Sequence, residues 1–142
     1  MLYPIGNLME YAMQVRPCES DISPAIPANA MALLQDMLGL DDPEFLVDLI
    51  GTYLDDSTNL VQALRAEWVV GNREVVLRSA HSLKSASATF HANQLSTMAS
   101  ELEEELRDNA GELDVDNQIK RIVNEHARVS AALSIEREKM DV

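Results

Sequence analysis

The sequence predicts an all-α protein, an antiparallel up-and-down four-helix bundle with a short N-terminal accessory helix. Apolar residues recur at the three- and four-residue spacing of amphipathic helices, and no segment alternates as a strand would. The chain has only five glycines and five prolines, and the one proline after residue 30 is Pro43, at an expected helix start. Its length of 142 residues suits one domain with one core.

Composition and charge exclude several classes of function. A formal charge of −13 opposes binding to nucleic acid, and it also disfavours direct binding to an anionic membrane. No apolar run approaches the roughly 18 residues of a transmembrane helix, and the N-terminus lacks the pattern of a signal peptide. The single cysteine, Cys18, rules out an intrachain disulfide. We therefore expect a cytoplasmic protein.

The first half of the chain divides into an extension and two helices. Residues 1–27 read as a partly irregular N-terminal extension, in which LMEYAM can form a short helix. The bundle domain is predicted over 28–139. Its accessory helix spans 28–39 and ends at Gly39, and the second helix begins with Asp42 as N-cap and ends near 71–72.

Three further helices complete the predicted bundle. The third runs from Arg73 to Phe90, and a turn at 91–93 leads into the fourth, which ends at 109–111. The fifth extends from Val115 to Lys139. Their apolar stripes are expected to pack together, with three methionines as core filler, Met31, Met37 and Met98.

His81 is the candidate functional residue of the third helix. At about 100° per residue, the apolar stripe of this helix points about 140° away from His81, which therefore faces outward. An exposed imidazole beside an ammonium group suits one reaction, the acceptance of a phosphoryl group on a ring nitrogen. Lys84, with Arg78 one turn earlier, would neutralise the added dianion. Ser85 and Ala88 leave room for a large phosphoryl donor.

Other features of the sequence are interpreted as structural. His91 lies in a turn without a flanking cation, and His126 shares the core stripe of the last helix, where a hydrogen-bonded, partly buried ring is expected. No histidine has another at the i, i+4 spacing of a metal site, so metal binding and an intrinsic cofactor are not expected. Spacing alone leaves open that His81 is an ordinary exposed histidine.

The segment AHSLKSASATFHANQLSTMASELEEEL resembles the signature of the histidine-containing phosphotransfer (HPt) family of two-component phosphorelays. That signature is roughly A-H-x-L-K-G, a run of small residues, a second glycine and a helix of spaced leucines. A weaker likeness extends from about residue 26 to 135 and includes a D-P-E-F helix start at 42–45. Two positions depart from the family pattern, because Ser85 and His91 stand where glycine is usual.

The resemblance implies a phosphocarrier rather than an enzyme. His81 would accept a phosphoryl group from a receiver-domain aspartate or a histidine kinase and pass it to another receiver domain. Glu103, on the next helix, would hydrogen-bond and orient the imidazole. Leu77, Ser85 and Ala88 would border the contact with the receiver, which would itself supply Mg²⁺. The implied partners are response-regulator receiver domains and a sensor or hybrid histidine kinase.

Two other functions remain open from the residues alone. One is a helical adaptor that has the bundle without phosphotransfer. The other is an enzyme that uses His81 as a covalent intermediate on a small molecule, but the sequence contains no phosphate-binding loop or other pocket-forming motif.

Overall fold

A computed structural model describes residues 23–39, 42–108 and 112–140 of the chain. These ranges form five helices: α1 (Ala30–Leu38), α2 (Pro43–Val69), α3 (Arg73–Thr89), α4 (Asn93–Asp108) and α5 (Glu112–Met140). Three sequence features fall outside them: the LMEYAM segment, Cys18 and the predicted end of the fourth helix at 109–111. No helix in the described ranges has the length and apolar character needed to cross a membrane.

Helices α2 to α5 form a four-membered bundle, as the sequence predicted. Helix α3 packs against α2 and α4, and α5 closes the arrangement by packing against the same two helices. Consecutive helices are joined by short connections, so they run antiparallel. The interior is filled by aliphatic side chains from every helix, among them Leu46, Leu83, Leu102 and Ile122, each with no exposed surface.

The helix boundaries follow from capping chemistry. The carboxylate of Asp42 accepts a hydrogen bond of 3.0 Å from the backbone N–H of Glu44, and Pro43 occupies the first turn of α2. Gly39 ends α1 in the left-handed conformation with a φ of 67°. His91 adopts the same region with a φ of 60° after α3, at a position where the resemblance noted in the sequence implies glycine. Its backbone N–H bonds to the carbonyl of Ala88 at 3.0 Å.

Two features of the packing differ from expectation. Met37 was predicted in the core, but it is 60% exposed, because the buried stripe of α1 consists of Ala30 and Leu34. Ala25 and Ile26 belong to the predicted extension, yet both are buried against the core of the bundle. The packed part of the chain therefore begins ahead of residue 28.

Polar side chains cross the core at two places. Tyr53 on α2 and Ser87 on α3 share a buried hydrogen bond of 2.8 Å. Ser57, which interrupts the apolar stripe of α2, lies 2.8 Å from Nε2 of His126 on α5. Burial lowers the pKa of His126 below its ordinary value of 6.5, so the neutral ring is favoured. The structure thus confirms His126 as a buried, hydrogen-bonded histidine.

Candidate functional site

His81 projects from the outer side of α3, beside α4. Its side chain is 56% exposed, while Ala80 and Leu83 on the same helix are fully buried. The apolar side chains of α3 face the bundle, which fixes His81 on the opposite side of the helix. Ser96 on α4 donates a hydrogen bond of 2.9 Å to the backbone carbonyl of Lys84, so the two helices are held together next to the site.

Glu103 reaches His81 from α4. Its side chain is only 3% exposed, because it extends the buried stripe that Ala99, Leu102 and Leu106 form on this helix. The carboxylate oxygen Oε2 lies 2.7 Å from Nδ1 of His81. The family resemblance implied this contact, and the structure places the two side chains within hydrogen-bonding distance.

Two cations share the same carboxylate. Nζ of Lys84 lies 2.9 Å from Oε1 of Glu103, and an Nη atom of Arg107 lies 2.6 Å from Oε2. Lys84 was singled out in the sequence, but Arg107 was not. Its i, i+4 spacing from Glu103 was the signal that could have identified it. Both oxygens of the carboxylate are therefore engaged, and Oε2 has two donors.

These contacts keep Glu103 ionised despite its burial. The hydrogen bond from Lys84 is the main cause of a pKa below the ordinary value of 4.5, and burial acts in the opposite direction. The hydrogen bond from His81 and the positive charge of Arg107 lower this pKa further. An ionised carboxylate can only accept hydrogen bonds, so Nδ1 of His81 must carry the proton.

A groove of about 390 Å³ opens beside the imidazole. We call it the His81 groove, and its walls are Leu77, Arg78, His81, Ser82 and Arg107. Two arginines and one hydroxyl thus border the imidazole on this side, which gives a locally basic surface on a strongly acidic protein.

The remaining predicted site residues lie around the histidine, and none of them forms a hydrogen bond with its ring. Ser85 and Ala88 are exposed on α3, and Leu77 is half-buried. Arg78 is also exposed and reaches the His81 groove. Among the described residues, no three histidine, cysteine, aspartate or glutamate side chains are grouped as a metal site would require.

Comparison with known proteins bears directly on this arrangement. The family model for the Hpt domain matches residues 48–132, which is more than half of the chain and includes His81, Lys84 and Glu103. The chain belongs to the Hpt domain family. The resemblance noted in the sequence is thereby confirmed, and this Hpt domain is a phosphotransfer domain of two-component signalling. Members of the family are phosphocarriers rather than classical enzymes, and they act with receiver domains and kinases.

A solved structure supports the same assignment. The crystal structure of histidine-containing phosphotransfer protein B (HptB) from Pseudomonas aeruginosa PAO1 is 25% identical in sequence and superposes with a TM-score of 0.72. The match covers 82% of this Hpt domain's chain and 97% of the HptB chain. No curated protein sequence is significantly similar to the chain.

Proposed function

We propose that this Hpt domain carries phosphoryl groups on Nε2 of His81. It would accept the group from a receiver-domain aspartate or a histidine kinase and deliver it to another receiver domain. The observation that supports this proposal most is the 2.7 Å contact between Nδ1 of the exposed His81 and the buried Glu103. One ring nitrogen is anchored and the other is left for reaction.

The contact prepares the ring as a nucleophile. Because Glu103 is an ionised acceptor, the proton of the neutral imidazole resides on Nδ1 and the lone pair resides on Nε2. None of the described residues forms a hydrogen bond with Nε2. The carboxylate also stabilises the positive charge that the ring develops when Nε2 forms a bond to phosphorus.

The transfer is a single displacement at phosphorus. Nε2 of His81 forms the N–P bond as the P–O bond to the donor aspartate breaks, and the electron pair of that bond returns to the aspartate carboxylate. The proton on Nδ1 stays in the hydrogen bond with Glu103. Delivery to the next receiver reverses these changes, with an aspartate oxygen as the nucleophile and His81 as the leaving group.

Two cations of α3 would neutralise the phosphoryl group in transit. Lys84 lies one helical turn after His81 on α3. Its Nζ lies 2.9 Å from Oε1 of Glu103, which holds the ammonium group close to the site. Arg78 lies on the wall of the His81 groove, one turn to the other side. We assign both as phosphate-stabilising residues because charge-assisted hydrogen bonds to phosphate oxygens are among the strongest available.

The receiver would dock around the histidine. Leu77 offers apolar surface, while Ser85 and Ala88 have side chains small enough to let a receiver approach the ring. Ser85 is larger than the usual family glycine, but its exposure leaves the hydroxyl free to turn outward. We expect a small, transient contact, with Mg²⁺ bound by the receiver rather than by this chain.

A transfer assay tests the proposal. The protein is mixed with radiolabelled, phosphorylated receiver domains, and acid-labile label on the protein is followed with time. We expect label on the wild type and none on His81→Gln, whereas His91→Gln serves as a matched control and should label normally. Label that persists on His81→Gln, or no label from a broad receiver panel, would overturn the proposal, and the second result would favour a helical adaptor.

A further inference from the structure

Two hydrogen bonds tie α3 to α4, one at each end of the candidate site. Nη2 of Arg73, the first residue of α3, donates a hydrogen bond of 3.1 Å to the backbone carbonyl of Leu106 on α4. In the opposite direction, the hydroxyl of Ser96 on α4 donates a hydrogen bond of 2.9 Å to the backbone carbonyl of Lys84 on α3. Each bond joins a side chain of one helix to the backbone of the other, so it constrains the position of a whole helix.

The two bonds enclose the contact between His81 and Glu103. His81 lies between the two bonded positions of α3, and Glu103 lies between the two bonded positions of α4. At about 1.5 Å per residue, the bonds are about 16 Å apart along α3 and about 15 Å apart along α4. Two bonds at this separation oppose both a slide and a rotation of one helix against the other. The 2.7 Å contact depends on that register, because its two residues belong to different helices.

Arg73 suits the end of α4 chemically. The carbonyl of Leu106 belongs to the last turn of α4, where carbonyls have no N–H of their own helix to accept from. A cation is also favoured there by the negative end of the helix dipole. The guanidinium of Arg73 lies over the ring of Trp68 on α2, at 6.0 Å from its centroid. Arg73 therefore connects three helices at this end of the bundle.

Both bonds act next to the partners of the buried carboxylate. Arg107 directly follows Leu106, and one of its Nη atoms lies 2.6 Å from Oε2 of Glu103. The carbonyl that Ser96 binds belongs to Lys84, whose Nζ lies 2.9 Å from Oε1 of Glu103. A shift of α4 along α3 would therefore disturb the carboxylate and its cations together.

We propose that Arg73 and Ser96 are positioning residues, which fix the register of α4 against α3 so that Glu103 meets Nδ1 of His81. Neither of them forms a hydrogen bond with the imidazole in the described part of the chain, so both act through Glu103. This inference deepens the proposed function and rests on phosphorylation of His81 at Nε2.

The position of the proton on the His81 ring reports on this register. A neutral imidazole without a partner carries its proton mainly on Nε2, whereas a carboxylate beside Nδ1 holds the proton on Nδ1. ¹⁵N chemical shifts of histidine-labelled protein distinguish the two tautomers at a pH where the ring is neutral, and His81→Gln identifies the signals. A loss of global stability in a protein that is still folded does not change this ratio.

The experiment compares variants of the full chain. Arg73→Met removes the guanidinium donors and keeps an apolar stem beside Trp68, Ser96→Ala removes the hydroxyl, and Arg73→Lys keeps a donor. Two matched controls are Arg65→Met, at an exposed arginine of α2, and Thr97→Ala, at an exposed hydroxyl next to Ser96. Urea unfolding checks that each variant is folded.

Phosphorylation by phosphoramidate measures the reactivity of the same ring without a protein partner. The P–N bond breaks as Nε2 of His81 bonds to phosphorus and ammonia leaves, and ³¹P NMR follows the initial rate. We expect Arg73→Met and Ser96→Ala each to move part of the ring population to the Nε2–H tautomer. Each should also slow phosphorylation by about threefold to tenfold, the range for loss of one hydrogen bond. Arg73→Lys should recover part of both changes, and the two controls should show neither.

The tautomer and the rate together decide the proposal. A wild-type tautomer and rate in Arg73→Met or in Ser96→Ala would overturn the role of that residue and show that its bond only stabilises the fold. Slower phosphorylation with an unchanged tautomer would also overturn it, because Glu103 would still hold Nδ1. If the wild type gains no phosphohistidine at His81, the proposed function fails, and the tautomer comparison still decides whether Arg73 and Ser96 position Glu103.

Discussion

Glu103 is 3% exposed and His81 is 56% exposed, yet a hydrogen bond of 2.7 Å joins their side chains across the α3–α4 interface. The contact connects residues 22 positions apart in the chain, so it depends on the packing of the two helices. Burial makes the carboxylate rigid, and exposure leaves the ring accessible. The pair therefore orients a reactive group without covering it.

Replacement of Glu103 should slow phosphorylation of His81. Glu103→Ala removes the acceptor that fixes the Nδ1 proton, and we expect a loss of about tenfold or more in transfer rate, as for other residues that orient a reactive histidine. Glu103→Gln keeps a neutral acceptor and should lose less. Rapid-quench transfer from a phosphorylated receiver measures both. A rate for Glu103→Ala equal to the wild type would show that the contact has no role in transfer.

Lys84→Ala should transfer more slowly while remaining folded. The Lys84 side chain is 33% exposed, so its removal leaves no large cavity, and His81 and Arg107 still contact the carboxylate of Glu103, so the variant should remain folded. The transfer rate should fall, because Lys84 is expected to neutralise the phosphoryl group on His81. Circular dichroism and the transfer assay are run on the same sample. Loss of helicity would instead identify Lys84 as a structural residue.

His126 should make the stability of the bundle depend on pH. Its folded-state pKa is lowered by burial, so the unfolded chain binds a proton more readily below the ordinary value of 6.5. Unfolding free energy should therefore fall as the pH drops from 6.5 toward the lowered pKa, by up to about 1.4 kcal/mol per pH unit. Urea titrations between pH 5 and 8 measure the slope.

A variant that cannot titrate isolates this contribution. His126→Asn keeps a polar group near Ser57, and its pH slope should be shallower than that of the wild type over the same range. Parallel curves for the two proteins would show that protonation of His126 is not coupled to folding.

His91→Gly should stabilise the protein. A φ of 60° is unfavourable for a residue with a Cβ and costs glycine little, so relief of this strain is expected to contribute about 1 kcal/mol. The midpoint of urea unfolding should rise, with the transfer rate to His81 unchanged. A lower midpoint would indicate that the His91 side chain makes contacts worth more than the backbone strain.

Local patterns in the sequence were sufficient to predict the helices and the direction of His81. Asp42 and Pro43 mark the start of α2 because capping and ring geometry act within one turn. The outward position of His81 follows from the phase of the buried residues on its own helix. Glu103 was identified only by family resemblance, because no local sequence pattern distinguishes one buried glutamate from its neighbours in an acidic run.

Contacts between distant residues could not be predicted in the same way. In the sequence, Ser57 only interrupts the apolar stripe of α2. The packing of α5 against α2 shows that its hydroxyl hydrogen-bonds to His126, 69 positions away. Arg107 was not singled out in the sequence. The i, i+4 spacing of Arg107 from Glu103 is visible in the sequence. The position of Arg107 in the wall of the His81 groove, however, depends on how α4 packs against α3.

We propose that Glu103 holds Nδ1 of His81 so that Nε2 accepts the phosphoryl group. The measurement that tests it most directly is the position of phosphate on the ring of the phosphorylated protein, determined by NMR of ¹⁵N-labelled histidine. We expect a single phosphohistidine, at Nε2 of His81. Phosphate on Nδ1 of His81, or on His91 or His126, would contradict it.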